Sequence, residues 1–146
     1  MILVQPKSDA DFEKYFDLRW RILRKPWGEP QGTEQDAEEE SSYHIMSVND
    51  SQTAHRLTGV ARLQFIEPTI VQLRYMAVED TLQGKGIGKA IVKHMEAYAR
   101  EKNATQLFLH ARENAVGFYA HLDYEIMGPS YLLFDCIQHY KMQKTL

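Results

Sequence analysis

Three glycines on alternate residues, Gly84, Gly86 and Gly88, constrain this chain more than any other feature. They follow a strand-like run over residues 70–78 and precede an apolar pattern of helical spacing that begins at Ile87. Glycine lets the backbone adopt positive φ and approach a ligand closely, and the first turn of a helix presents unpaired N–H groups and the positive end of its dipole. The segment therefore predicts a site for a phosphate or diphosphate where this helix begins.

Lysines spaced four residues apart lie in and after this loop, at Lys85, Lys89 and Lys93. Lys89 and Lys93 share one face of the predicted helix near its start, so they could neutralise further phosphate charge.

Two common phosphate-binding motifs do not fit the loop. The nucleoside-triphosphatase loop needs Ser or Thr after its Gly-Lys pair, whereas Gly88 and Lys89 are followed by Ala90. The dinucleotide fingerprint needs its third glycine one position later than Gly88. The pattern that fits is Gln or Arg, two residues, Gly, one residue, then Gly or Ala, which Gln83, Gly86 and Gly88 satisfy.

Length and composition fit one domain, residues 1–146, because 146 residues with 44% hydrophobic side chains suffice for a single core. A net charge of -3 argues against nucleic acid as a partner. The N-terminus turns polar too soon for a signal peptide, and no apolar run is long enough to span a membrane, so we expect a cytoplasmic protein without a membrane partner. Cys136 is the only cysteine, so we predict no disulfide and no metal site, and we expect its side chain to pack in the core.

Apolar residues at helical spacing predict an α-helix over residues 9–24, with Ser8 or Asp9 as its cap. Pro26 prevents simple continuation, and residues 25–42 are predicted to form a loop with at most a short helix. The acidic residues of this loop are expected to be solvated, or to form a rim that attracts a cationic substrate; they are Glu34, Asp36, Glu38, Glu39 and Glu40.

The rest of the chain alternates strand and helix patterns. Turn residues at Asn49-Asp50-Ser51 predict an antiparallel hairpin of strands 43–48 and 57–65. Further on, the pattern predicts a helix from Ile87 to near Asn103 and a helix over 115–122 capped by Asn114. The remaining extended segments are 70–78, 107–109, 124–127, 132–134 and 139–142. This order predicts a mixed α/β (α+β) fold with helices packed on a sheet.

The pattern at Gln83, Gly86 and Gly88 resembles the coenzyme A loop of the GNAT superfamily, the Gcn5-related N-acetyltransferases. A second stretch, residues 111–124, is similar to another signature of that family, in which Asn and Ala precede a Phe-Tyr pair and a Gly-Phe pair. Asp123-Tyr124 replaces Gly-Phe here, although Asp tolerates left-handed geometry better than most residues and Tyr keeps the aromatic ring. The C-terminal residues, and the spacing of Arg19, Arg24 and Trp27, resemble the small bacterial members described as ElaA-like.

The resemblance implies a mostly antiparallel sheet with helices on both faces and a central strand pair that splays apart around the pantetheine arm of acetyl-CoA. It assigns pantetheine contacts to the backbone of Met76, Ala77 and Val78 and to Asn114. It also implies that an N–H near Val78 polarises the thioester carbonyl. The diphosphate would be wrapped by the loop and the first helical residues: Gln83, Gly84, Lys85, Gly86, Ile87, Gly88 and Lys89.

The resemblance further implies direct transfer from thioester to amine, because Cys136 falls on no catalytic position of the family pattern. Tyr119 matches the tyrosine that in many members protonates the thiolate leaving group. Where several members carry a glutamate as base, this chain has Gln72, and an amide cannot accept the proton. The remaining candidates for the base are a water chain and three histidines near predicted strand ends, His44, His110 and His139, with His110 as the first choice.

Two functions remain open from the sequence. The first is an N-acetyltransferase for a primary amine of a small molecule or a protein, which the retained Tyr119 favours. The second is a non-catalytic acyl-CoA sensor or interaction module, which Gln72 favours. The acidic loop hints at a cationic acceptor such as a polyamine or a lysine side chain, and a homodimer is among the assemblies that the sequence allows.

Overall fold

In residues 1–49 and 56–146, which this computed structural model describes, a seven-stranded sheet organises the fold. The strands are β1 (Ile2–Val4), β2 (Tyr43–Val48), β3 (Leu57–Glu67), β4 (Ile70–Val78), β5 (Gln106–Arg112), β6 (Glu125–Leu133) and β7 (Ile137–Thr145). Their order in the sheet is β1-β2-β3-β4-β5-β7-β6. Every neighbouring pair is antiparallel except β4 and β5, which run parallel.

Helices cover both faces of the sheet, as the resemblance implied. They are α1 (Asp9–Leu23), α2 (Ile87–Glu101) and α3 (Val116–Ala120). Because side chains alternate along a strand, neighbouring residues of β2 enter different cores. Ile45 packs in the core beneath α2 and α3, whereas Met46 joins Tyr15 and Leu18 of α1 in a second core on the opposite face. No helix in the described part of the chain is long and apolar enough to cross a membrane.

The helix ends follow local sequence chemistry. Ser8 caps α1 with a capping box, in which its hydroxyl accepts a hydrogen bond from the Asp11 N–H at 3.0 Å and Asp11 in turn accepts from the Ser8 N–H. After α2, Asn103 adopts a φ of 70°, and the Ala104 N–H donates to the Ala99 carbonyl. Such a left-handed Asn closes a helix, so the predicted end near Asn103 is confirmed.

The substitution of Asp123-Tyr124 for Gly-Phe fits the fold as predicted. Asp123 takes the left-handed φ of 73° that glycine would otherwise supply. Tyr124 is buried, and its hydroxyl donates a 2.9 Å hydrogen bond to the carboxylate of Glu96 in α2. Lys144 of β7 pairs with the same carboxylate at 3.0 Å, so a buried charge pair ties α2 to the sheet.

Two sequence predictions about local structure are wrong. Asn114 does not cap a helix, because the chain leaves β5 through a short 3₁₀ helix, Glu113–Ala115, and Ala115 takes the cap position of α3 without any side-chain hydrogen bond. Cys136 is exposed rather than in the core. It ends a tight turn between β6 and β7, in which Phe134 and Asp135 both adopt positive φ, so its side chain lies beyond the sheet.

The other elements differ less from the sequence predictions. The antiparallel pairing of β2 with β3 confirms the predicted hairpin, although Asp50 and Ser51 of its turn lie outside the described residues. Strands β5 and β6 extend beyond the predicted 107–109 and 124–127. The edge strand β1 was not predicted from the sequence.

Candidate active site

The parallel ladder between β4 and β5 ends early. It reaches only the Gln72–Phe108 pair, although β4 continues to Val78 and β5 to Arg112. Beyond this pair the two strands diverge, so the backbone edges that face each other carry N–H and C=O groups without a strand partner. This is the splayed strand pair that the sequence resemblance implied.

A bulge in β4 accompanies the divergence. Val60 pairs with Ala77 and Arg62 with Arg74, so one residue of β3 lies opposite two of β4, Tyr75 and Met76. Tyr75 has a φ of 54°, a left-handed conformation that is rare for an aromatic residue. Bulges bend a strand and re-aim its side chains, and here the bend lies beside the open end of the ladder.

The glycine loop has the backbone conformations that its sequence predicted. Gly84 and Gly86 have φ values of 78° and 88°, and a Cβ at either position would meet no atom within 4 Å, so the loop surface is open. Gly88 lies close to Phe118 instead, since a Cβ there would be 3.1 Å from Cζ of that ring, and the ring would have to shift slightly to admit a side chain. Gly86 caps α2 without a side chain, so the first N–H groups of that helix remain available to a ligand.

A single cavity of about 650 Å³ brings the loop and the split strands together. All but one of the thirteen predicted site residues line it: Met76, Ala77, Val78, Gln83, Gly84, Gly86, Ile87, Gly88, Lys89, His110, Asn114 and Tyr119. The exception, Lys85, is exposed and does not line the cavity. Lys93, which the sequence suggested as a further phosphate partner, lies 3.7 Å from the carboxylate of Glu96.

Tyr119 lies in the wall of this cavity, almost fully buried. Its ring packs edge to face against Phe118 and Tyr124. None of the described residues hydrogen-bonds its hydroxyl, and burial raises the pKa of Tyr119 well above its ordinary value of 10. The phenol therefore stays protonated at neutral pH and is free to donate.

The three candidate histidines occupy different environments. Both ring nitrogens of His44 are engaged, one 2.8 Å from the Tyr15 hydroxyl and the other donating to the Glu39 carbonyl, and His44 is not in the cavity. His139 lines the cavity but is buried, with its Nδ1 donating to the Ile137 carbonyl. His110 also lines the cavity, and its Nδ1 is buried without a hydrogen-bond partner.

The electrostatic surroundings of His110 keep it neutral. Burial lowers its pKa below 6.5, and the positive charges of Lys141 and Arg74 lower it further, with a smaller effect from His139. A neutral imidazole has one ring nitrogen able to accept a proton. Of the three histidines, His110 is the one whose position and protonation suit a base.

The acidic loop is neither solvated throughout nor an outward-facing rim, which corrects both sequence interpretations. Asp36 and Glu39 turn inward and pair with two fully buried arginines, Arg19 of α1 and Arg62 of β3. The Arg62–Asp36 contact is 2.6 Å and the Arg19–Glu39 contact is 3.0 Å. We call these four residues the buried ion-pair cluster.

The ring of Tyr75 lies at the centre of this cluster. Its centroid is 4.5 Å from the guanidinium carbon of Arg19 and 4.9 Å from that of Arg62. Arg74 also stacks on the ring, at 4.7 Å, and pairs with Asp36 at 3.2 Å. The cluster thus connects the acidic loop to the bulge that opens the cavity.

Sequence reasoning did not identify five further residues that line the cavity as site residues. They come from the end of α1, the short 3₁₀ helix Lys25–Trp27, the middle of β4, the end of β5 and strand β6. The residues are Arg24, Trp27, Arg74, Arg112 and Tyr131. A signal was present for two of them, because Arg74 and Arg112 flank the strand ends that were expected to diverge.

Comparison with known proteins identifies the class. The model of the acetyltransferase (GNAT) family matches residues 12–124, and the chain belongs to this family. It is 29% identical to the uncharacterised Bacillus subtilis protein YyaT over 111 residues, 76% of this chain and 71% of YyaT. It is 25% identical to the uncharacterised B. subtilis N-acetyltransferase YitI over 136 residues, 92% of this chain and 91% of YitI.

The fold agrees with a solved structure. The crystal structure of an aminoglycoside 6'-N-acetyltransferase complexed with coenzyme A superimposes with a TM-score of 0.81 at 16% identity, over 99% of this chain and 97% of that one. The family match confirms the enzyme class predicted from the sequence signatures, an acetyl-CoA-dependent acyltransferase.

We predict that Asp36→Asn destabilises the protein at neutral pH by roughly 2 kcal/mol or more, because Arg62 loses its shortest ion pair while buried. The hydrogen bond from Arg62 holds the pKa of Asp36 at about 2 in the folded protein, below its ordinary 3.8. The contribution of Asp36 is therefore complete above about pH 4 and is lost as the pH falls toward 2.

Urea unfolding from pH 2 to pH 7 measures this difference between wild type and variant. The matched control is Glu40→Gln, which removes an exposed carboxylate from the same loop and should leave the free energy of unfolding within about 0.5 kcal/mol of wild type. The prediction would be contradicted if the free energies of unfolding of wild type and Asp36→Asn differed little at pH 7. It would also be contradicted if their difference were the same at pH 5 and pH 2.

Proposed function

We propose that this acetyltransferase moves the acetyl group of acetyl-CoA directly onto a primary amine of a small molecule or a protein. The observation that carries the proposal is the meeting of three features in one cavity. They are the unpaired backbone edge of β4, the start of α2, which no side chain caps, and the hydroxyl of Tyr119, which no described residue hydrogen-bonds.

The loop and the start of α2 suit the diphosphate of coenzyme A. The exposed backbone at Gly84 and Gly86 and the first N–H groups of α2 provide donors and the positive end of a helix dipole. Lys89, which also lines the cavity, adds a positive charge near the start of α2. The Gln83 amide donates to the Val78 carbonyl and to Asp80, each at 3.3 Å, which braces the loop against the end of β4.

The unpaired edge of β4 suits the pantetheine arm. An extended arm with two amide groups can hydrogen-bond to Met76, Ala77 and Val78 as an added strand would. The N–H near Val78 would polarise the thioester carbonyl. Asn114 also lines the cavity, in the 3₁₀ helix that follows β5, and we assign its side-chain amide to the same arm.

In the proposed reaction the amine nitrogen attacks the thioester carbon, the C–S bond breaks, and the sulfur leaves as a thiolate. Tyr119 gives its phenolic proton to that sulfur. The phenol is fully protonated before transfer, and it lies in the wall of the cavity in which the thiolate forms. Burial makes it a weaker acid than a free tyrosine, so the role rests on its position and not on the direction of its pKa shift.

The attacking amine must lose a proton. A lysine-like amine with a pKa near 10.4 is neutral in only about one part in a thousand at neutral pH, a handicap of roughly 4 kcal/mol. We propose that His110 accepts this proton through Nε2, directly or through a water molecule, because His110 lines the cavity and its other ring nitrogen, Nδ1, is buried.

The first test is coenzyme A binding by calorimetry. We expect wild type to bind, and Gly86→Ala to bind up to about tenfold more weakly, since alanine at a φ of 88° costs about 1–2 kcal/mol and the loop must regain that conformation on binding. Gly32→Ala is the matched control, with the same kind of strain at a φ of 104° in a loop outside the cavity. Absence of binding by wild type would refute the proposed function.

The second test concerns the proton donor. Tyr119→Phe should lower kcat about 100-fold or more with little change in coenzyme A affinity, because it removes only the hydroxyl. Tyr124→Phe deletes the same group from a neighbouring ring whose hydroxyl serves Glu96, so that variant should lose stability and keep its rate. An unchanged kcat in Tyr119→Phe would remove this tyrosine from the mechanism.

The third test concerns the base. For wild type, kcat/KM should rise with pH through an apparent pKa below 6.5 and then level off, since His110 must be neutral to accept a proton and its pKa is lowered. In His110→Gln the rise of kcat/KM through this pKa should disappear, and kcat/KM at neutral pH should fall about 100-fold. The control His121→Gln changes an exposed histidine outside the cavity and should keep the wild-type profile. A profile unaltered in His110→Gln would assign proton removal to another group.

A further inference from the structure

One end of the cavity is lined by three arginines that come from separate elements and meet around the Leu23 carbonyl and the Tyr75 ring. Arg24 follows α1, Arg74 lies in β4 and Arg112 ends β5. Beyond the bulge at Tyr75, this end is where an acceptor would meet the thioester if coenzyme A binds as proposed above. We call it the arginine lobe.

Two of these arginines are held by uncharged groups. Arg24 donates to the carbonyls of Leu23 and Thr33, at 3.0 Å and 3.1 Å. Arg112 donates to the Leu23 carbonyl at 3.0 Å and stacks on Trp27 at 4.5 Å. In the part of the chain that the structure describes, no carboxylate lies within 4.0 Å of either guanidinium group, so both positive charges remain uncompensated.

The nearby carboxylates already pair with other arginines or with Arg74. Asp36 forms ion pairs with Arg62 and Arg74, and Glu39 forms ion pairs with Arg19 and Arg62. The two buried arginines, Arg19 and Arg62, are thus neutralised by carboxylates of the protein. Among the three arginines of the arginine lobe, only Arg74 contacts a carboxylate of the described residues, and it shares that carboxylate with Arg62. Unused donors include Nη2 of Arg24 and both Nε and Nη1 of Arg112.

The electrostatics of neighbouring groups reflect this excess of positive charge. Burial lowers the pKa of Arg112, and the proximity of Arg24 lowers it further. Burial raises the pKa of Tyr131, and Arg74, Arg24 and Arg112 all oppose that increase. A cationic acceptor such as a polyamine would enter this field against repulsion, whereas an anion would be attracted.

We propose, on the basis of the proposed function, that the acceptor amine carries an anionic group, a carboxylate or a phosphate, which Arg24 and Arg112 bind in the arginine lobe. Arginine suits both anions because its planar fork can donate two parallel hydrogen bonds. The exposed face of Tyr131 and the ring of Trp27 form the apolar walls of the same lobe. This replaces the cationic acceptor that the acidic loop suggested from the sequence.

The test measures acceptor binding to the coenzyme A complex by calorimetry, using pairs that differ in one anionic group. Glucosamine 6-phosphate against glucosamine tests phosphate, and β-alanine against β-alaninamide tests carboxylate. We expect at least one anionic member to bind about tenfold or more tightly than its neutral partner, the difference that one charge-assisted hydrogen bond supplies. Which pair shows the difference identifies the anion.

Variants then locate the anion site. Arg24→Gln and Arg112→Gln should each reduce the preference about tenfold or more without changing coenzyme A affinity, and Arg112→Lys should retain part of it. Arg100→Gln, at an exposed position near the end of α2, is the matched control and should keep the full preference. Coenzyme A affinity serves as the check on folding, and Arg24→Gln tests the site should Arg112→Gln fail to fold.

The outcomes separate the two proposals. If wild type does not bind coenzyme A, the proposed function fails and this inference fails with it. If coenzyme A binds but neither anionic member binds better than its neutral partner, or spermidine binds better than both, the anionic acceptor alone is overturned. A preference that survives both glutamine variants would also overturn it.

Discussion

The early end of the parallel ladder between β4 and β5 is the constraint on which the site depends. Past the Gln72–Phe108 pair each strand keeps its other neighbour, β3 for β4 and β7 for β5, so the sheet stays intact on both sides of the gap. Unpaired backbone groups in a recess are costly unless a ligand or water satisfies them. The fold therefore leaves open a backbone edge that an ordinary sheet would pair.

The buried ion-pair cluster supports the same opening from the α1 side. Arg19 and Arg62 are fully buried, and their pairing with Glu39 and Asp36 fixes the long loop against α1 and β3. Isolated buried charges would be strongly destabilising, so the loop carboxylates and the arginines require each other. Tyr75 connects this cluster to the bulge in β4, because its backbone is left-handed there and guanidinium groups pack on its ring.

Much of the fold and most of the site could be predicted from the sequence, because the determining signals are local. Glycines at Gly84 and Gly86 dictated the positive φ values of the loop, and Asp123 could take the conformation of the missing glycine. The apolar periodicity of α1 and α2 fixed their extents to within two residues. The diverging strands came from family resemblance, since no local pattern states where a ladder stops.

The failures at the site concern contacts between residues far apart in the chain, whereas the failure at Asn114 is local. Asp36 pairs with Arg62 and Arg74, and nothing in the sequence around a run of acidic residues distinguishes an inward carboxylate from a solvated one. The arginine lobe was missed for the same reason, because its members come from elements that only the fold brings together. Asn114 failed as a cap because a 3₁₀ helix, whose hydrogen bonds span one residue fewer, intervened before α3.

The exposed position of Cys136 affects how the enzyme can be assayed. Transfer of the acetyl group from acetyl-CoA liberates the thiol of coenzyme A, and reagents that count thiols are a common way to follow such a reaction. Cys136 is the single cysteine of the chain and is accessible in its turn, so each enzyme molecule contributes one reactive sulfhydryl of its own. Any measurement of thiol release at high enzyme concentration must subtract one thiol per enzyme molecule. The substitution Cys136→Ser would remove this contribution from the background.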